Sequence, residues 1–228
     1  MLTITIIGVV AGMTIPTLVA SHQKEVAATQ LEKVYSEIGQ ILKRSEADNI
    51  MNLSTTTIAT LMADDVYNKY WKPYLANPKI CNKPKDCGYN PSVGVYPWKM
   101  MNGDSFIYNM KDAAGRTHGI NVIDTDFTGA NTRFLLQYGT GTVIFYPIGN
   151  RGAALVQRMN LFVVDINGSK SPNRLGRDVF VFKIDENSVV KPMDDEKYKN
   201  DCKKGSTGLS CSLTVFKAGW KMDKSYPW

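Results

Sequence analysis

Residues 2–48 read LTITIIGVVAGMTIPTLVASHQKEVAATQLEKVYSEIGQILKRSEAD, and this stretch decides the fold. Its apolar beginning carries no charged residue before Lys24, after which charges of both signs are frequent. From Ala27 onward, apolar and small residues recur at intervals of three and four: Ala27, Leu31, Val34, Ile38, Ile41, Leu42 and Ser45. No turn signal separates the two parts. The pattern therefore predicts one continuous helix, on the order of 70 Å long.

The apolar part, residues 1–21, has the length of a membrane-spanning segment. Gly8 and Gly12 form a GxxxG motif, which lets a second helix approach closely in an apolar environment. Pro16 removes a backbone donor, so a kink or local melting is predicted there. A single-pass anchor and a signal peptide cleaved near Ser21 remain alternatives, although a secretory signal normally begins with basic residues. A helix that is apolar on all sides must be buried by lipid or by other helices.

The composition limits the function classes. The chain of 228 residues is 43% hydrophobic and 21% charged, with a net charge of +6, which is typical of a globular protein. Its densest basic stretch, Lys197–Lys204, lies beside acidic residues, so we interpret it as a solvated surface and expect no nucleic-acid partner. His22 and His118 are the two histidines, and no hydrolase, zinc-protease, P-loop or dinucleotide motif is present. We therefore do not expect an enzyme.

The four cysteines fall into two close pairs, Cys81 with Cys87 and Cys202 with Cys211. Zinc sites more often use CxxC spacings, so spacings of six and nine residues favour two local disulfides. Four cysteines allow three pairings, and the sequence alone leaves these open. Disulfides would indicate a compartment outside the reducing cytosol.

The rest of the chain predicts an α+β domain over residues 49–228, packed on the C-terminal half of a helix that occupies residues 1–48. Residues 54–74 predict a second helix that begins at Ser54 or Thr55 and ends at Pro73. Short apolar runs separated by turn residues predict an antiparallel sheet of about four to six strands. These runs are Ser105–Met110, Ile120–Ile123, Thr132–Tyr138, Val143–Pro147, Leu155–Ile166 and Val179–Ile184.

One polar loop contains candidate metal ligands. Asp165 and Asn167 follow a predicted strand, and Asp178 precedes the next. Such oxygen donors can bind calcium, but the loop lacks the full ligand set of an EF-hand, and the same residues can simply support a turn. A second acidic turn at residues 124–129 invites the same two interpretations. No other cofactor is expected.

Aromatic residues close the sequence, in Gly219-Trp220-Lys221 and Tyr226-Pro227-Trp228. Aromatic side chains near a terminus can dock that segment onto its own domain. They can also form a contact with a neighbouring subunit or a bound surface. We favour docking.

The N-terminal helix resembles that of type IV pilins and type II secretion pseudopilins, whose N-terminus is methylated after processing. The resemblance rests on residues 6–11, the Ile15-Pro16 step, and the change to an amphipathic helix that contains Tyr35. Residues 163–185 are similar to a strand, loop and strand common near the C-terminal end of pseudopilin-like proteins. The tail resembles that of a bacterial pilin-like subfamily. The family's Phe-Thr-Leu-x-Glu processing residues are not in this sequence, so no processing role is carried over.

The resemblance implies a pilin-like α+β fold and a structural role in a filament. Packing between helices in the filament core would involve Ile7, Gly8, Ala11, Gly12 and Pro16. The implied partners are identical or homologous pilin subunits, the assembly machinery, and the bacterial inner membrane before assembly into an extracellular or periplasmic filament. Roles in protein transport or cell adhesion belong to such filaments. The competing hypothesis is a single-pass anchored or secreted extracytoplasmic domain that binds a ligand or surface.

Overall fold

The computed structural model describes residues 2–49, 53, 61–95, 97–111, 117–121, 133–139, 141–147 and 161–228. For residues 2–13, 107–111, 117–121 and 197 it describes the backbone alone. The predictions for Ser54, Thr55, residues 124–129 and residues 155–160 lie outside the described residues. So do the side chains of Ile7, Ala11 and His118 and the surroundings of Gly8 and Gly12.

Helix α1 (Leu2–Asn49) has 48 residues and is about 72 Å long. The prediction of one continuous helix is confirmed. The predicted local melting at Pro16 is wrong, because the helix continues through this residue. Proline removes only one bond of the helical ladder, and the Thr17 hydroxyl donates to the carbonyl of Thr14 at 2.8 Å beside it. Among the described side chains, which begin at Thr14 in α1, no helix combines the length and apolar composition that crossing a membrane requires.

Eight strands and two short helices follow α1 in the described residues. The helices are α2 (Ala63–Val66) and α3 (Cys211–Lys217). The strands are β1 (Lys79–Ile80), β2 (Ile107–Lys111), β3 (Thr117–Asn121), β4 (Arg133–Tyr138), β5 (Thr142–Pro147), β6 (Leu161–Asp165), β7 (Val179–Ile184) and β8 (Val190–Pro192). The α+β prediction is confirmed at this level.

The main sheet has six antiparallel strands in the order β1-β4-β5-β6-β7-β8. Strands β2 and β3 form a separate antiparallel hairpin, so the prediction that they join the main sheet is wrong. Strands β1 and β8 were not predicted, because two or three residues are too few to show an alternating pattern.

Both faces of the main sheet are buried. Alternate residues of each strand point to opposite faces, so Phe134 and Leu136 face α1, whereas Leu135 faces away. The second face is covered by the segment that includes the Cys81–Cys87 disulfide, together with Trp98. The sequence predicted the helix side of this core but not the cover on the other side.

The predicted helix over residues 54–74 is confirmed in its described part only from Ala63 onward. Residues 61 and 62 are not helical, and α2 continues into a π-helical turn (Tyr67–Trp71) and a 3-10 turn (Lys72–Tyr74). Val66, Tyr70 and Trp71 are completely buried. A π turn keeps successive aromatic residues directed at the core, where Trp71 contacts Phe134 at a centroid distance of 6.2 Å.

Candidate functional site

Helix α1 divides into two parts with opposite burial. In the buried half, residues 27–45, every position of the predicted stripe lies in the core: Ala27, Leu31, Val34, Ile38, Ile41, Leu42 and Ser45. These side chains pack against α2, α3 and the near face of the sheet. In the exposed half, residues 14–26, the side chains are exposed apart from Ala20 and Lys24, which are half-buried. Among the described side chains of α1, the head domain therefore covers the stripe of residues 27–45 and leaves most of residues 14–26 exposed.

The exposed half carries an apolar stripe of its own, formed by Ile15, Leu18, Val19 and Val26, which are 58%, 72%, 49% and 40% exposed. At 3.6 residues per turn, these four side chains fall within a sector of about 100°. That sector is turned by about 130° from the buried stripe. Pro16 is also exposed. The stripe is thus a second apolar face, directed away from the surface that packs on the head.

The C-terminal tail docks onto α1 where its two halves meet. The Lys24 ammonium donates to the backbone carbonyls of Asp223 and Tyr226, both at 3.0 Å. Tyr226 is buried and donates its hydroxyl to the carbonyl of Gly176 at 2.6 Å. Gly176 has a φ of 77°, and a Cβ there would lie 2.3 Å from a methionine methyl and 2.8 Å from the Cys211 sulfur, so only glycine fits.

Aromatic stacking holds the beginning of the tail. The ring of Trp220 lies 4.8 Å from that of Tyr35, which also contacts Phe182 and Phe216. The Tyr35 hydroxyl donates to the carbonyl of Val190 at 2.9 Å, and burial raises the pKa of this tyrosine. The docking interpretation of the tail is therefore confirmed for Trp220 and Tyr226.

Both predicted disulfides are present, and each is local. Cys81 is bonded to Cys87 and Cys202 to Cys211. The second bond anchors the first residue of α3, from which the tail continues. The alternative zinc interpretation does not apply, since no described cysteine is free.

The three candidate calcium ligands come together, but hydrogen-bond donors already occupy their carboxylates. Asp165 is completely buried and accepts hydrogen bonds from the Tyr89 hydroxyl at 2.7 Å and the Trp98 indole at 2.9 Å. Asp178 accepts from the backbone N–H of Arg174 at 2.7 Å. Asn167 touches both carboxylates, through its N–H to Asp165 and its side-chain amide to Asp178, and its buried amide oxygen has no hydrogen-bond partner.

Burial dominates the electrostatics of this cluster. It raises the pKa of Asp165 well above its usual range and that of Asp178 to about 6, although the hydrogen bonds to each carboxylate oppose the shift. In the described part of the chain, no three His, Cys, Asp or Glu residues converge as a metal site. The observed arrangement ties the loop between β6 and β7 to the segment that contains Tyr89 and Trp98, while calcium binding stays a prediction.

Sequence reasoning missed the roles of Tyr89 and Trp98. Both lie in a stretch rich in Pro, Gly and Asn, residues 77–98, and both are nearly inaccessible to solvent. The rings meet edge to face at a centroid distance of 6.0 Å. A buried carboxylate needs donors, but one sequence gives no signal that pairs Asp165 with aromatic residues 67 and 76 positions away.

A surface groove of about 600 Å³ lies where the exposed half of α1 begins. Its walls include His22, Gln30, Asn167 and the last residue, Trp228. The Arg177 guanidinium lies over the Trp228 ring, 5.7 Å from its centroid. This contact fixes the end of the tail beside the loop that contains the two buried aspartates.

No family model, no curated protein and no solved structure matches this chain.

Proposed function

We propose that this chain is a structural subunit of a type IV pilus-like or type II secretion pseudopilus filament, assembled through the apolar part of α1. The observation that carries the proposal is the uncovered stripe on the exposed half. Leu18 is 72% exposed on a helix whose other half packs tightly on the head. Burial of such surface contributes about 25 cal/mol per Å², so the stripe favours a partner outside this head.

The position of the stripe adds support. By helical periodicity in the sequence, Gly8 and Ala11 fall in the same sector as Ile15 and Leu18, and Ile7 and Gly12 lie about 20° beyond its two edges. One helix would then use one face for its own head and another for neighbouring helices. Contacts between different faces of successive copies do not close into a ring when the rotation is helical, and they produce a filament.

In this proposal the apolar segment has two successive environments. The lipid of the bacterial inner membrane covers it before assembly, and the helices of neighbouring subunits cover it afterwards. The two disulfides fit a head that faces an oxidising compartment. Filament formation needs no catalytic residue and no cofactor.

Two variants matched in exposure test the proposal. Leu18 is 72% exposed on α1, and Val93 is 70% exposed on a loop of the head. Leu18→Glu places a charge on the proposed assembly face and should abolish filaments in the cells that produce the chain. Val93→Glu adds the same charge elsewhere and should leave filaments intact. Electron microscopy and immunoblots of the sheared surface fraction measure both outcomes, and normal filaments from Leu18→Glu would overturn the proposal.

A polyleucine replacement of residues 2–20 separates a filament subunit from a single-pass anchored binding domain. An anchor requires only length and apolarity, so it should keep its membrane association and its activity. A filament subunit requires close helix packing at the glycines and should stop assembling. If this variant formed filaments of normal length, close packing at Gly8 and Gly12 would not be required for assembly. That result would count against the proposal.

A further inference from the structure

The docked tail reaches beyond the head along the exposed half of α1. Its turn at residues 223–226 is closed by the Asp223 carboxylate, which accepts hydrogen bonds from the N–H groups of Ser225 and Tyr226 at 2.8 and 3.1 Å. Lys24 fixes this turn to the helix. As a result, Lys224 lines a shallow groove together with Thr14, Ile15, Thr17, Leu18 and Ser21. Lys224 thus lies beside the turns of α1 that precede Lys24.

Three cations and an aromatic ring belong to the tail and to the loop beside it, next to residues 14–30 of α1 or within four positions of such a residue in the tail. We call the set Arg177, Lys221, Lys224 and Trp228 the basal collar. Lys221 and Lys224 are exposed, and Arg177 and Trp228 are half-buried and stacked on each other. The exposed carboxylates nearby are those of Glu25 and Asp223, and the second is occupied by its own turn. The side chains of the collar itself carry three positive charges, of which that of Arg177 is partly balanced by Asp178.

We infer that the basal collar binds anionic lipid headgroups and seats the head on the membrane surface before the subunit enters a filament. This inference rests on the proposed function, because it requires that the apolar part of α1 enters lipid. Membrane proteins concentrate lysine, arginine and tryptophan where the hydrocarbon region meets the headgroups. Here Lys224 shares one groove with Ile15 and Leu18, so a cation and apolar side chains lie at the same depth.

The combination favours a bilayer over an acidic protein surface. A lysine beside an apolar stripe can lay its methylene chain against the lipid hydrocarbon while its ammonium group contacts the lipid phosphates. This arrangement fits the boundary between the hydrocarbon region and the headgroups of a bilayer. Each lysine near an anionic membrane raises the equilibrium constant for membrane binding about fivefold. Lys24 does not contribute directly, since its ammonium is held by two carbonyls, and it acts instead by positioning the tail.

The test uses the full chain reconstituted in two kinds of vesicle, phosphatidylcholine alone and phosphatidylcholine mixed with phosphatidylglycerol. A lipid that carries a nitroxide on its headgroup quenches tryptophans that contact the surface. Trp71 and Trp98 are buried and supply a constant background, and a Trp228→Phe variant separates the signal of Trp228 from that of the half-buried Trp220. Flotation of the vesicles reports separately whether the chain enters the bilayer.

We expect stronger quenching of Trp228 in the anionic vesicles than in the neutral ones. Raising the salt concentration from about 0.1 M to about 1 M shortens the Debye length from about 10 Å to about 3 Å and should remove the difference. The double variant Lys221→Glu/Lys224→Glu should also lose it, because two lysines together favour the surface about 30-fold. Lys221→Gln/Lys224→Gln removes the two charges without reversing them and should reduce the difference in quenching between the two kinds of vesicle.

A matched control changes two exposed lysines at the opposite end of the head. Lys43 lies about 28 Å further along α1 than Lys24, and Lys72 belongs to the turn that packs near the end of this helix. Lys43→Glu/Lys72→Glu should keep the full lipid dependence.

Equal quenching of wild-type protein in both vesicles, with normal flotation, would overturn the inference and leave the proposed function standing. Failure of the wild-type chain to float with either vesicle would overturn both. Lost filaments with unchanged quenching in Lys221→Glu/Lys224→Glu would assign the collar to a neighbouring subunit instead.

Discussion

Leu31 and Leu18 are the same residue type on the same uninterrupted helix, yet Leu31 is fully buried and Leu18 is 72% exposed. The buried half has its partner in the chain, because the sheet supplies an apolar face of matching length. The exposed half has a shorter apolar stripe, interrupted by His22, that the head leaves exposed. The difference shows that a helix pattern predicts an apolar face reliably, but it does not say whether the partner is the same chain or another molecule.

The most severe test of this comparison is the pair Leu31→Ala and Leu18→Ala. Removing the buried side chain leaves a cavity between α1 and the sheet and should lower the free energy of unfolding by about 2–5 kcal/mol. The same change on the exposed half should alter it by less than about 0.5 kcal/mol. Urea denaturation of the oxidised protein measures both. Similar losses for the two variants would mean that residues 14–26 pack on the head in solution.

A second test concerns the loop at the junction of the two halves, since Asp178 lines the groove beside Val26 and Ala27. Burial raises the pKa of Asp178 from 3.8 to about 6, so the folded state holds its proton more tightly than the unfolded state. The resulting stability is fully present below about pH 4 and is lost as the pH rises through about 6. A shift of this size corresponds to about 3 kcal/mol.

Denaturation of wild-type protein and Asp178→Asn across pH 4 to 7 checks this prediction. The advantage of the wild type should shrink as the pH rises, and the variant should lack that part of the slope. Asp165, whose pKa burial also raises, contributes in the same direction in both proteins. An advantage of the wild type that grows with pH would mean that the folded state instead favours the ionised Asp178 carboxylate.

The smallest expected effect is at Lys24, which joins the tail to the helix. Lys24→Ala removes two hydrogen bonds to backbone carbonyls and should lower the free energy of unfolding by about 1–2 kcal/mol. The clearer signal should be local, with faster proteolysis after Lys221 and Lys224 while the core stays intact. Lys33→Ala serves as a control, because this lysine forms an exposed pair with Glu37 on the same helix. Unchanged cleavage in Lys24→Ala would show that Tyr226 and the aromatic contacts hold the tail without Lys24.

Much of the helical architecture was predictable, because its signal is periodic. Seven stripe positions from Ala27 to Ser45 follow a period that a single sequence displays, and all seven are buried. The disulfides were predictable for a related reason, since each joins cysteines fewer than ten residues apart. The prediction of local melting at Pro16 was wrong, because a proline removes one hydrogen bond whereas the many bonds around it keep the helix continuous.

The features that sequence reasoning missed depend on contacts between distant segments. The cover on the second face of the sheet joins the Cys81–Cys87 segment to strands that follow about 50 residues later. Asp165 was chosen as a calcium ligand because an oxygen-rich turn has that composition, but the composition does not reveal the buried Tyr89 and Trp98 donors. The direction of the exposed stripe follows from the helical period of the sequence, and only the structure shows that the head leaves this stripe exposed.

The docking of the tail beside Lys24 has a practical consequence for labelling. An affinity tag fused to Trp228 would emerge at the base of the head, beside the helix, and would obstruct whatever approaches there. An epitope inserted next to Val93 would be displayed on the far side of the sheet, where Gly94 has no neighbouring atom within 4 Å of an added Cβ. Imaging and pull-down experiments on this protein should therefore carry their label in that loop and leave the C-terminal residue free.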